Sequence, residues 1–166
     1  MKKIKIAIAL LLIITTFCTT LVSCNKSIDM KIKSETTHDA VTISNVTLSN
    51  STEGVVLEAI WNNKSESIIT YGKMFLLEVK NGGVWKKAPM VDGSMFTLED
   101  LIVYPASIIS DFNDSNAELI SKGENIRLYI TNHYEVESNN EYRVIIEFNE
   151  MANKDIAYQA VIYFNT

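Results

Sequence analysis

Four thiol- or imidazole-bearing side chains are all that this 166-residue sequence offers for covalent or soft-metal chemistry: Cys18, Cys24, His38 and His133. Zinc needs three or four converging ligands, and neither histidine has a carboxylate at a ligand-like or triad-like spacing. His133, in Asn132-His133-Tyr134, reads as a loop residue. Glu99-Asp100 and Glu135/Glu137 have the composition of a glycosidase acid–base pair, but such pairs are common on acidic surfaces. Asp111, Asn113 and Ser115 alternate as at the start of a calcium loop. That pattern then breaks, with Asn116 where glycine belongs and Lys122 where a bidentate glutamate is needed. Hydrolysis or group transfer needs a nucleophile or activated water, a base and a charge stabiliser. No such trio assembles, and there is no glycine-rich phosphate loop. The sequence assigns no catalytic, cofactor-binding or metal-binding residue, and no cofactor.

Cys24 is different, because its neighbours explain it. Lys2, Lys3 and Lys5 make a basic start, and residues 6–14 are apolar and uncharged. That stretch is too short for roughly 30 Å of hydrocarbon, which takes about 20 apolar residues. Leu21-Val22-Ser23-Cys24 follows, with a small residue before the cysteine and leucine three positions upstream. Cys18 lacks this context, since bulky Phe17 precedes it. The arrangement resembles the signal peptide and lipobox of a bacterial lipoprotein. The resemblance implies cleavage before Cys24, a diacylglycerol on its thiol, and an amino terminus open to acylation, palmitate being the expected group. Each buried CH₂ contributes about 0.8 kcal/mol, and a single acyl chain holds only marginally. Two or more chains on Cys24 would keep the protein at the extracytoplasmic face of the cell membrane.

The domain plan follows. Residues 1–23 are expected to be a signal peptide, 24–39 a lipidated, mostly polar tether, and 40–166 one folded domain. Ile28, Met30 and Ile32 alternate with polar residues, so a short edge strand in the tether is the other reading. With Cys18 removed and Cys24 lipidated, the domain has no disulfide and must rest on an ordinary core. Residues 24–166 hold twelve basic and 20 acidic side chains, a net −8, and no basic run longer than Lys86-Lys87. Nucleic acid is thereby not an expected partner. An acidic domain is also repelled by an anionic bilayer, which suits one standing off it.

Period-two patterning dominates the domain. Val55, Leu57, Ala59 and Trp61 make one apolar series; Ile126, Leu128 and Ile130 another; Tyr142, Val144, Ile146 and Phe148 a third. Ile156, Tyr158, Ala160, Ile162 and Phe164 make a fourth. Such alternation marks half-buried strands. Val41/Ile43 and Val46/Leu48 are out of phase, which predicts a bulge near Ser44-Asn45. Asn81-Gly82-Gly83 between two strands predicts a tight hairpin. Residues 97–102 read as a single helical turn and 112–116 as an irregular loop. The expected fold is all-β, an antiparallel sandwich of about seven to nine strands.

Asn62-Asn63, Tyr71-Gly72, Phe75-Leu76-Leu77-Glu78, Gly83-Val84-Trp85 and Glu141-Tyr142-Arg143 recur in an order that resembles bacterial immunoglobulin-like domains of Gram-positive surface lipoproteins. Typical members carry Pro-Gly where this chain has Asn139-Asn140 and Ser121-Lys122-Gly123-Glu124. The family has no established catalytic residues, so the resemblance implies a non-enzyme that binds a protein or cell-wall partner or serves as an accessory module. The alternative is a carbohydrate-binding or hydrolytic domain, for which Trp61, Trp85, Tyr71, Tyr104, Tyr129 and Tyr134 could supply a sugar platform. Trp61 shares the phase of Val55, Leu57 and Ala59, which places it in the core, and Trp85 after its hairpin is also read as packed. Tyr142, near the start of a late strand, is placed for a tyrosine-corner hydrogen bond. Residues 89–123 form the longest stretch without strand patterning and are the expected recognition surface.

Overall fold

The computed structural model describes residues 32–52, 54–109 and 123–166. Cys24 and the 111–116 stretch lie outside them. The described residues form ten strands in two antiparallel sheets, one more strand than the upper expectation. Sheet one is β2 (Val41–Ser51), β3 (Gly54–Asn63) and β8 (Glu124–Tyr129), in the order β2-β3-β8. Sheet two centres on β9 (Glu141–Glu150) and β10 (Asn153–Asn165). Along its other edge β9 pairs first with β5 (Leu76–Asn81) and then with β4 (Ile69–Gly72). β6 (Val84–Lys87) extends β5, β7 (Asp100–Val103) extends β4, and β1 (Lys33–Thr36) closes the far side against β10. The two sheets pack on one another as an all-β antiparallel sandwich, with one core shared between them.

The alternating series supply the core between the sheets. Leu57 and Trp61 are fully buried, as are Val144, Phe148 and Ile162. Trp61 sits at the centre, its ring 5.0 Å from Phe148 and 5.2 Å from Tyr71. The fourth series reaches the core only in part. Ala160, Ile162 and Phe164 are buried, whereas Ile156 is exposed beyond a register shift between Asn153 and Ala157. The expected bulge lies between Ser44 and Thr47, with Asn45 at φ 50°.

Two local expectations are corrected. Residues 33–36, assigned to the tether, form β1. Its polar side chains serve a structural end: Ser34 Oγ donates to the carbonyl of Ile43 (3.0 Å), and Thr36 Oγ1 to that of Val41 (2.5 Å). β1 thus pairs with sheet two by backbone and satisfies the β2 edge of sheet one by hydroxyls, where no apolar pattern is needed. The helical turn expected at 97–102 is absent. Leu101 and Val103 instead face Tyr71 and Ile69 across the β7–β4 ladder, with Val103 buried, and a single helical turn follows at Ala106–Ile109.

The β5–β6 hairpin turns on Gly82 and Gly83, at φ 59° and 83°, with Asn81 and Val84 as the closing pair. Positive φ at both central residues is the two-residue turn that matches strand twist. Tyr142 makes the expected corner: its hydroxyl accepts from the Glu137 amide (2.8 Å) and donates to the Glu137 carbonyl (3.3 Å).

Candidate functional site

The outward phase of sheet two carries the densest set of polar and aromatic side chains. Cross-strand register decides which of them meet. Lys33, Tyr163, Arg143, Glu78 and Lys87 fall on one rung across β1, β10, β9, β5 and β6. The adjacent positions hold Lys80, opposite Trp85. Arg143 Nε donates to Glu78 at 2.5 Å, Lys80 to Glu141 at 2.8 Å, and the Tyr163 hydroxyl to Glu35 at 2.6 Å. The Arg143 guanidinium lies 4.7 Å from the Trp85 ring centre and Lys80 Nζ 5.4 Å, while Lys33 Nζ stands 5.5 Å from the Tyr163 ring. Trp85 and Tyr163 are 5.8 Å apart and tilted by 57°. Lys33, Lys80, Trp85 and Tyr163 line a surface depression of about 530 Å³.

These pairs fix charge states. The hydrogen bond from Lys33, then that from Tyr163, holds the Glu35 carboxyl below the usual carboxylate range. Its partners respond in kind, as the bond to Glu35 raises both Lys33 and Tyr163 above their ordinary values. Chemically the face presents two rings among cations and carboxylates that already neutralise one another. Such a surface is suited to stacking and ion pairing.

The six proposed platform aromatics do not come together. Trp61, Tyr71 and Tyr134 are in the core, and burial raises Tyr71 well above an ordinary tyrosine. Tyr104 is exposed beyond β7, and Tyr129 packs under Arg127 (5.2 Å) on the other sheet. Only Trp85 reaches the outer face of sheet two, where Tyr163, not singled out from the sequence, joins it. Trp85 is therefore half-exposed rather than packed inside.

Each histidine has a partner that sequence spacing did not reveal. His38, read as part of the tether, is held at the opposite end of β9. Its Nε2 lies 3.1 Å from Glu150 Oε1, its Nδ1 accepts from the Ala40 amide at 3.2 Å, and its ring meets Tyr158 edge-on at 4.6 Å. An accepting Nδ1 leaves the proton on Nε2, which donates to Glu150. Glu150 is 112 positions away, out of reach of any motif search. His133 stacks on Phe96 at 4.0 Å and 19°, and burial lowers its pKa.

The acidic pairs also separate into structural roles. Glu99 pairs with Lys73, and Asp100 opens β7 opposite Gly72. Glu135 and Glu137 share a depression of about 470 Å³ with Lys80, Asn81, Asn140 and Tyr142 at the Glu141 end of β9. Among the described residues no three His, Cys, Asp or Glu side chains converge as a metal site. The outer-face cluster was the feature missed. The signal for it was present in the residues opposite in phase to the core series, but reading it needed strand register as well as alternation.

Comparison with protein families and with curated proteins finds no match.

Proposed function

We propose that this chain is a membrane-anchored surface lipoprotein, attached through lipid on Cys24, whose immunoglobulin-like domain works by contact rather than catalysis. It binds a protein or cell-wall partner, or serves as an accessory module beside one. The observation that carries this reading is the outer face of sheet two. Trp85, Tyr163, Arg143, Lys80 and Glu35 are fixed by reciprocal bonds there into a surface that can recognise a partner, with each charge already balanced. The order of basic residues, apolar run and Leu-Val-Ser-Cys supports the anchor. Fold by itself does not choose the partner.

A second reading has its own support: Trp85 and Tyr163 flank a depression of a size that accepts a sugar ring. Crosslinking and pull-down from intact cells with the full chain, compared with Trp85→Ala, tests the site. Capture of a defined partner that falls with Trp85→Ala is the expected result, and unchanged capture removes this face. Saturable binding of purified glycan would favour the second reading, and glycan turnover would overturn the non-enzyme assignment. Intact-mass spectrometry of the membrane fraction tests the anchor; a chain retaining residues 1–23, or an unmodified Cys24, rejects it.

A further inference from the structure

We propose that Asn81-Gly82, at the tip of the β5–β6 hairpin, is a self-modification site where the asparagine converts to isoaspartate with loss of ammonia. The chemistry needs only water and this backbone, so it stands apart from what the domain binds and how it is anchored. Asn81 is the one asparagine of the sequence followed by glycine. Glycine matters there because its amide nitrogen is the nucleophile, and without a Cβ it approaches the neighbouring side chain closely.

The hairpin leaves both reacting groups free. Residues 81–84 are all exposed, and a Cβ built on Gly82 would meet nothing within 4 Å, so a ring has room to close and water has access. Pairing of β5 with β9 ends at Val79↔Tyr142, and beyond it the strand is laddered to β6 alone. Gly82 is a central residue of a two-residue turn, and its amide donates to no carbonyl among the described residues. Nor does a hydrogen bond among them hold the Asn81 carboxamide. Asn63 is the contrast. It is buried, its Nδ2 donates to the carbonyls of Ser67 (2.8 Å) and Val103 (3.2 Å), and its Oδ1 accepts from the Ser65 amide (3.0 Å). The amide that follows it, of Lys64, is already given to Ala40 (2.8 Å).

Hydroxide takes the Gly82 amide proton, and the nitrogen attacks Cγ of Asn81. The N–Cγ bond forms and the Cγ–Nδ2 bond breaks. The departing nitrogen leaves as ammonia with a proton from water, which regenerates hydroxide and leaves a five-membered succinimide. Water then opens the ring. Addition at Cγ gives aspartate, whereas addition at the main-chain carbonyl carbon routes the backbone through Cβ and Cγ as isoaspartate. That adds a methylene to a turn whose two central residues set the register. The closing pair Asn81↔Val84 then loses its geometry, and the next rung is Lys80↔Trp85. Either product also sets a carboxylate in the depression that Asn81 shares with Glu135 and Glu137, where like charges repel. The hairpin thereby loosens with age and draws Trp85 from Arg143.

The test incubates the full chain at neutral and mildly alkaline pH, with and without urea, and maps its peptides by mass spectrometry. In the native chain Asn81 should exchange NH₂ for OH before every other asparagine, at a rate that rises with hydroxide and stays close to its rate in urea. Asn63 should react only in urea. Electron-transfer fragmentation should show isoaspartate, which is decisive because direct hydrolysis of the side chain gives aspartate alone. Aspartate without isoaspartate, a native rate far below that in urea, or another asparagine reacting first would overturn the site. Trp61 is fully buried, so acrylamide quenching of tryptophan emission reports Trp85. The isoaspartyl form, separated by anion exchange, should be quenched more than the parent and more than Asn81→Asp. Equal quenching would overturn the link from the turn to the outer face.

Discussion

Trp61 and Trp85 show how the two faces of this sandwich are held by different forces. Trp61, on β3, is wholly buried between sheets, with Phe148 and Tyr71 against its ring. Trp85, on β6, lies outside sheet two with Arg143 and Lys80 as its neighbours. Burial and close packing secure the first, with large losses when volume is removed. The second is organised largely by register, Arg143 meeting Glu78 and Lys80 meeting Glu141 across neighbouring strands, and ion pairs at a solvated surface contribute little stability. The inner face is thus committed to folding, while the outer face is available for recognition.

The sharpest way to break this comparison is to truncate both rings. Trp61→Ala is expected to cost about 3–5 kcal/mol in urea denaturation of the chain. Trp85→Ala is expected to cost under about 1 kcal/mol, because only cation–π contacts and partial burial are lost. Similar losses from the two variants would mean that the outer face is part of the stabilising core. Between these lies Tyr142→Phe, at about 1–2 kcal/mol, since removing the hydroxyl strands the Glu137 amide that it caps. A loss below about 0.3 kcal/mol would show that water replaces the corner bond without cost.

The same contrast explains what was legible in the sequence. Alternation located Leu57, Trp61, Val144 and Phe148 inside because burial acts on each strand separately and leaves a local period. The bulge and the glycine turn were equally local. β1 escaped because its contribution is made by hydroxyls on the β2 carbonyls rather than by apolar side chains. β7 was misread because Leu98, Leu101 and Ile102 also fit a helical period. In a short segment the tertiary partner, β4, settles the choice. The outer-face site depends on which residue of β5 stands beside which of β9 and β10, and that information is spread from Leu76 to Asn165. His38 and Glu150 are hidden for the same reason.

His133 gives the smallest predicted effect and the finest test of where inside ends. Its ring is stacked on Phe96 and edge-on to Phe75 at 5.8 Å, and desolvation lowers its pKa below the ordinary 6.5. The unfolded chain then takes up a proton at higher pH than the folded one. Stability from this site is fully present above about 6.5, and is lost as pH falls through the lowered folded value. Proton NMR of His133 should give a midpoint below 6.5, and His133→Phe, which keeps the stack but cannot protonate, should flatten the fall in stability over that window. Carboxylates titrate lower still, so the two variants are compared above pH ~5. An ordinary His133 midpoint, or the same pH slope in His133→Phe, would place this ring in solvent and move the boundary of the core inward to Phe75 and Tyr134.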